Sequence, residues 1–151
     1  MRGFIEVFHK KNYGDKKTLA IKTRLQAAGL KNIKEVIPSV IYQIDGDFTA
    51  AQIDKIGAQL LADPVLETYK TKAREPKGFF KVQVWIKDSS TDVVGQSVKD
   101  IIGLLGHGPA QNVRVGNAFA ISGNFTKAQL EAAVKKTFVN EMLNKYTAQE
   151  F

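Results

Sequence analysis

A seven-residue motif occurs twice in the chain, and this repetition constrains the fold more than any other feature. The first copy reads Gly-Asp-Phe-Thr-Ala-Ala-Gln over residues 46–52, and the second reads Gly-Asn-Phe-Thr-Lys-Ala-Gln over residues 123–129. In each copy Thr-x-x-Gln is a capping box, in which the Thr hydroxyl and the Gln side chain accept hydrogen bonds from N–H groups of the first helical turn and the cap. A glycine before such a box is typical of a turn between a strand and a helix. Each copy therefore predicts that a strand ends and a helix begins at this point.

The same spacing of 77 residues (123 − 46 = 77) relates the rest of the chain to itself without a gap. The matched pairs fall mainly at apolar or turn positions: Val7 with Val84, Phe8 with Trp85, Ile21 with Val98, Leu25 with Ile102, Val36 with Val113, Tyr42 with Phe119 and Tyr69 with Tyr146. We therefore predict two modules, residues 1–73 and 80–151, joined by a polar linker at residues 74–79. Two copies are too few for a solenoid, and because each small module buries little core, we expect the two to pack together.

Hydropathy periodicity places strands and helices at equivalent positions in the two modules. In the first module the predicted elements are a strand at 4–9, a helix at 17–28, an extended segment at 33–45, a helix after Thr49 and a strand at 65–71. In the second they are a strand at 80–87, a helix at 94–105, strands within 113–121, a helix at 128–138 and, over 141–147, either a longer helix or a last strand.

The middle segment of each module decides between two descriptions of the fold. Pro38-Ser39 indicates a bend or a hairpin in the first module, and Gly116-Asn117 is a two-residue hairpin signal in the second. Each module is therefore predicted as β-α-β-β-α-β, or as β-α-β-α-β if the middle segment is one bent strand. Both are α+β, ferredoxin-like arrangements, in which an antiparallel sheet carries two helices on one face. We expect the two modules to pack as a pseudo-dimer.

Two pairs of equivalent aromatic residues are predicted to lie at an interface. In the strand that contains Val82, Val84 and Ile86, these three side chains face the helices, so Trp85 points to the opposite side of the sheet. Phe8 holds the same position in the first module. An aromatic side chain at the same outward position in both copies indicates that this face is covered by the sister module or by another subunit. Tyr42 and Phe119 form the second equivalent pair and are also predicted to lie at an interface between modules or subunits.

Charge and composition narrow the class of partner. The net charge is +7 and the sequence pI is about 9.6, but the basic residues are spread over both modules, and the densest group is Lys10, Lys11, Lys16 and Lys17. Residues 77–84 resemble the start of an RNA-recognition signature but depart from it at Phe80 and Lys81. The chain has no cysteine, which excludes disulfides and thiolate chemistry. A cytoplasmic protein without a nucleic-acid or membrane partner is expected.

No arrangement of residues predicts catalysis. His9 and His107 are not repeated between the modules, and no spacing of histidines and carboxylates is typical of a metal site. The glycine-rich stretch 103–109 follows a predicted helix instead of preceding one, so its N–H groups are not placed to hold a phosphate. We therefore predict no catalytic residue, no metal and no cofactor.

Several segments resemble the PurS family, the small subunit of phosphoribosylformylglycinamidine synthase. The second module carries a strand that ends in Lys87, an Asp-x-x-Gly helix start at Asp92 and Gly95, and a Val-Arg-x-Gly strand with Arg114 and Gly116. The first module instead keeps the family's closing segment, as Asp-Pro-Val-Leu-Glu-Thr-Tyr at residues 63–69, and has Thr18 in place of the helix-start glycine. The two copies together extend the resemblance over nearly the whole chain.

The resemblance implies a subunit without an active site of its own. PurS-like subunits bridge a PurQ-type glutaminase and a PurL-type synthetase in purine biosynthesis and assist the transfer of ammonia between them. The motif positions Lys87, Asp92, Gly95, Arg114 and Gly116 are then candidates for partner contacts. A tandem chain would be a covalent dimer, and two such chains are expected to pair. The first alternative is a tandem regulatory module of the ACT type that binds a small metabolite. The second, which the residues favour less, is an RNA-binding module.

Overall fold

The computed structural model describes residues 2–11 and 13–151, and within them the chain forms six strands and four α-helices. The first half contains β1 (Arg2–His9), α1 (Asp15–Ala27), β2 (Ile33–Gly46), α2 (Ala50–Ile56) and β3 (Glu67–Lys70), with a π-helical turn over Gly57–Leu61 after α2. The second half contains β4 (Phe80–Ile86), α3 (Val93–Leu104), β5 (Ala110–Gly123), α4 (Lys127–Thr137) and β6 (Asn144–Glu150). Each half is therefore β-α-β-α-β, which confirms the α+β prediction of two tandem modules. Within the described residues, no helix is long and apolar enough to cross a membrane.

The six strands form a single antiparallel sheet in the order β3-β1-β2-β5-β4-β6. Its register repeats with the sequence: Ile5 pairs with Tyr42, and their equivalents Val82 and Phe119 also pair. Between the two halves Val40 pairs with Asn117, its own equivalent (40 + 77 = 117). A pseudo-two-fold axis therefore passes between β2 and β5, as in an isologous dimer. The predicted pseudo-dimer is confirmed, and its interface is strand pairing.

The hairpins that Pro38-Ser39 and Gly116-Asn117 suggested do not form, and each middle segment is one strand of 14 residues. Pro38 lies one position beyond the last pair with β1, Ser39↔Phe8, so its missing N–H removes no bond on that side. Gly116 also lies within a continuous strand, for a different reason. A Cβ there would lie 2.8 Å from the Trp85 ring, so the glycine makes room for the indole. The hairpin prediction was wrong because this glycine serves packing and not a turn.

The capping boxes form as predicted, with the same geometry in both halves. The Thr49 N–H donates to Gln52 Oε1 at 2.8 Å, and the Gln52 N–H donates to Thr49 Oγ1 at 3.2 Å. Thr126 and Gln129 repeat both bonds at the same distances. The motif also makes a packing contact between its phenylalanine and its glycine. In each copy the Phe two residues after the glycine packs directly against it. A Cβ built on Gly46 would lie 2.5 Å from the Phe48 ring, and a Cβ built on Gly123 would lie 2.8 Å from the Phe125 ring.

All four helices cover one face of the sheet, and each hydrophobic core combines helices from both halves. The first core joins Ile56 of α2 to Val98 and Ile102 of α3, over strand residues that include Ile5 and Ile44. The second core joins helices α1 and α4 through these side chains: Ile21, Leu25, Leu130, Ala133 and Val134, over Val82, Phe119 and Ile121. Helix α1 thus contributes to the core of the second half and α3 to that of the first. Each hydrophobic core is therefore formed by residues of both modules.

Candidate partner-binding surfaces

The sheet face opposite the helices carries Trp85 and Phe8, as the alternation predicted. Trp85 is 7% exposed and packs with Phe4 and Ile41 of the first half and with Ala118 of the second. Its indole N–H donates to Gln83 Oε1 at 3.1 Å. Phe8 is also buried, and the Arg74 guanidinium carbon lies 5.8 Å from its ring centroid. Both rings are covered within the chain, and a contact with a second subunit stays a prediction.

Tyr42 and Phe119 lie on the other face of the sheet, beneath the helices. Tyr42 packs against the first core, beside its strand partner Val115, and burial raises the pKa of its hydroxyl. Phe119 belongs to the second core, with its ring centroid 5.5 Å from that of Phe138. The four aromatic residues therefore divide into two pairs on opposite faces. Tyr42, Phe119 and Trp85 each meet residues of the other half, and their assignment to a subunit interface stays a prediction.

A buried ion pair that the sequence pattern did not predict lies on the face of the sheet opposite the helices. Lys81 Nζ of β4 lies 2.6 Å from Glu6 Oε1 of β1, and their side chains are 4% and 1% exposed. The pair spans β2 and β5, where the Ser39 hydroxyl donates to Glu6 Oε2 at 2.6 Å. Arg74 completes it: its N–H donates to Glu6 Oε1 at 2.9 Å, and its carbonyl accepts from Lys81 Nζ at 2.8 Å. The segment between β3 and β4 is thereby fixed across this face. The equivalent positions hold Gln83 and Phe4, so the repeat carries no sign of the pair.

Three of the family-motif residues, Asp92, Gly95 and Gly116, are buried inside the chain. Asp92 is the N-cap of α3: its Oδ1 accepts from the Gly95 N–H at 2.8 Å, and its Oδ2 accepts from the Val115 N–H at 2.8 Å. A Cβ on Gly95 would lie 2.2 Å from the Val113 carbonyl oxygen. Asp92 and Gly95 hold α3 against β5, and Gly116 makes room for the Trp85 ring, which gives the motif a structural reason.

The other two motif residues organise the turn between β4 and α3. Arg114 Nη2 donates to the carbonyls of Ile86 at 2.6 Å and Lys87 at 2.7 Å, and it lies 3.8 Å from Asp88 Oδ1. Lys87 is half-buried, and its N–H donates to the Leu143 carbonyl at 2.8 Å. Arg114 also lines a cleft of about 310 Å³ on the back of the sheet. Whether Lys87 and Arg114 contact a partner stays a prediction.

Helix α3 presents an apolar outer side. The helical spacing of Val94, Val98, Ile101, Ile102 and Leu105 predicts one buried stripe. Only Val98 and Ile102 of these five lie in the core. The exposed apolar side chains of α3 and its C-cap, with their exposed fractions, are Val93 (68%), Val94 (56%), Ile101 (40%), Leu104 (85%) and Leu105 (43%). The equivalent residues of α1 are Lys16, Lys17, Arg24, Ala27 and Ala28. A contiguous exposed apolar surface is typical of a protein-binding site. The outer side of α3 is therefore the candidate docking surface, whereas the equivalent positions of α1 hold three basic residues and two alanines.

Among the described residues, neither histidine forms an ion pair with a carboxylate. His107 Nε2 lies 3.3 Å from Gln59 Oε1, and its carbonyl accepts from Gln52 Nε2 at 3.4 Å. His9 ends β1, and its Nδ1 is buried without a hydrogen-bond partner among the described residues. In the described part of the chain, no group of three or more His, Cys, Asp or Glu is placed to hold a metal ion.

Comparison with known proteins finds the same family in both halves of the chain. The family model described as PurS, phosphoribosylformylglycinamidine (FGAM) synthase, matches the chain twice, over residues 4–75 and 79–150. No curated protein matches the chain. The two matches coincide with the two halves of the sheet and confirm the resemblance found in the sequence. The chain therefore belongs to the PurS family, as a tandem of two PurS modules, and is a PurS-type subunit of FGAM synthase in purine biosynthesis.

Proposed function

We propose that the chain bridges a PurQ-type glutaminase and a PurL-type synthetase in the cytoplasm and assists the passage of ammonia between them. The observation that carries this proposal is the exposed apolar side of α3, where Leu104 is 85% exposed. A subunit without catalytic chemistry acts through the surfaces it offers, and an apolar surface of this kind favours a protein partner over a charged ligand. The transfer of ammonia is supported by membership of the family alone.

The difference between α1 and α3 supports two unlike partners. A homodimer of identical modules must present the same surface twice. In the tandem chain the α3 surface is apolar, whereas the equivalent surface of α1 carries Lys16, Lys17 and Arg24. This asymmetry offers a different surface to each of two unlike partners. Pairing of two tandem chains is proposed as well, and light scattering would then give twice the chain mass of 16.7 kDa.

Reconstitution with two nitrogen sources tests the bridging role. The chain is combined with its cognate synthetase and glutaminase, and FGAM formation is measured with glutamine and, separately, with ammonium chloride. Bridging predicts that omission of the chain abolishes the glutamine-dependent reaction and leaves most of the ammonia-dependent one. Equal loss of both reactions would show that the chain supports the synthetase itself, and no loss of either would refute the proposal.

The α3 surface is tested by the substitution Leu104→Glu. We expect the glutamine-dependent rate to fall at least about tenfold at limiting chain concentration, because a carboxylate would be buried in an apolar contact. The free energy of unfolding should change by no more than about 0.5 kcal/mol, since the side chain is exposed. Met142→Glu places the same charge at an apolar side chain that is 84% exposed and lies on neither α1 nor α3, and it is the matched control. Equal losses in the two variants, or none in Leu104→Glu, would contradict the assignment of the surface.

A further inference from the structure

A second cleft, of about 280 Å³, lies between α1 and the sheet beside the pseudo-two-fold axis. Its apolar lining includes Val84, Phe119 and Phe138, which belong to the second core. Lys17, Arg24 and Asn117 supply polar groups to the same cleft. An apolar cavity with a few polar groups is the usual form of a small-molecule site, and this volume is just below the usual range of about 300–1,000 Å³, so it suits a small ligand.

The two cations differ in how they are held. The Arg24 guanidinium donates to the Thr137 carbonyl and stacks over the Phe138 ring, with its central carbon 4.3 Å from the centroid. A guanidinium has five N–H donors, so this anchoring leaves donors for a ligand. Lys17 is half-buried, and burial lowers the pKa of its ammonium despite the opposing effect of Glu67. No ion pair joins Lys17 to another described residue. The cleft thus holds one fixed cation and one partly desolvated cation.

The other half of the molecule shows that these polar groups are not demanded by the fold. The residues equivalent to Lys17, Arg24 and Asn117 are Val94, Ile101 and Val40. The surrounding apolar positions remain apolar in both halves: Val84, Phe119 and Phe138 correspond to Val7, Tyr42 and Leu61, which pack in the first core. The duplicated fold therefore tolerates aliphatic residues at all three positions.

We propose that this cleft binds a small anion with a flat apolar body, whose carboxylate or phosphate group meets Lys17 and Arg24. The body of the ligand lies against Phe119 and Phe138, and the anionic group meets Lys17 and Arg24, which line the same cleft as Asn117. Charge-assisted hydrogen bonds to a carboxylate or a phosphate are the strong kind, and a guanidinium suits both groups. This site is separate from the α3 surface and does not depend on the bridging role.

The proposal is tested on the whole chain by amide NMR titration with benzoate, phenyl phosphate and the neutral analogue benzyl alcohol. We expect saturable shifts at Ala20, Asn117 and Ala118, which line the cleft. The two anions should bind at least about tenfold more tightly than benzyl alcohol, because only they engage the cations. The comparison between benzoate and phenyl phosphate shows which anionic group the site prefers. Equal binding of benzyl alcohol, shifts confined to other surfaces, or no binding would overturn the proposal.

The double variant Lys17→Val/Arg24→Ile removes both cations and uses residues that a PurS module already carries at these positions. We expect the benzoate Kd to rise at least about tenfold. Lys16→Val is the matched control: it removes an exposed neighbouring charge, has Val93 as its equivalent, and should leave the Kd unchanged. An unchanged Kd in the double variant, or an equal rise in the control, would show that the two cations do not form the site.

Discussion

Replacing Lys81 with methionine is expected to lower the free energy of unfolding by about 3–5 kcal/mol. The variant keeps most of the side-chain volume but leaves the Glu6 carboxylate without its cation, at a position where the glutamate side chain is 1% exposed. The remaining donors to Glu6 are the Ser39 hydroxyl and the Arg74 N–H. Neither carries a full charge, so the desolvation of the carboxylate is no longer offset. Urea denaturation followed by circular dichroism measures the change.

The double variant Glu6→Gln/Lys81→Met separates the lost pairing from lost packing. A neutral glutamine in place of Glu6 can still accept the Arg74 N–H bond with its carbonyl oxygen, while its amide NH₂ group donates to the Ser39 hydroxyl, and no buried charge remains. We expect the double variant to recover most of the stability that Lys81→Met loses, with a coupling energy of about 2–4 kcal/mol. Additive effects of the two substitutions would show that the ion pair does not link β1 to β4.

The repeat of 77 residues accounts for most of what the sequence predicted correctly. The face on which a strand side chain lies follows from a period of two residues, and a helix start follows from a local capping motif. Both features are the same in residues that are 77 positions apart. The capping residues Thr49 and Thr126 therefore mark real helix starts, and the equivalents Val40 and Asn117 meet on the axis. The face of Trp85 followed from the same alternation, because a strand side chain can point to only two sides.

What the sequence did not predict lies in contacts between the halves. Periodicity finds the apolar face of a helix but not the strands on which that face packs, so the contribution of α1 to the second core could not be predicted. Glu6 and Lys81 are not equivalent positions, and a repeat reports only what both copies share. Gly116 shows a third limit. A glycine that accommodates the Trp85 ring and a glycine that forms a turn look the same in a sequence.

The family motif Asp-x-x-Gly can be tested through its glycine, and Gly95→Ala is expected to destabilise the chain by about 3 kcal/mol. The new Cβ would lie 2.2 Å from the Val113 carbonyl oxygen and 2.9 Å from Asp92 Cγ. Helix α3 must then move away from β5, which strains the bond from the Val115 N–H to Asp92 Oδ2. Urea denaturation gives the change in unfolding free energy.

The same substitution at Gly103 is the matched control, because this glycine lies in the same helix with nothing within 4 Å of a built Cβ. Alanine there should stabilise the chain by about 0.5–1 kcal/mol, the ordinary difference in helix propensity. The two substitutions are chemically identical and should have opposite signs, so propensity alone cannot explain both results. The first half has Thr18 at the position of Gly95, so this glycine contact belongs to the second half alone. If Gly95→Ala were as harmless as Gly103→Ala, α3 would not rest on β5, and the motif would need a role other than this contact.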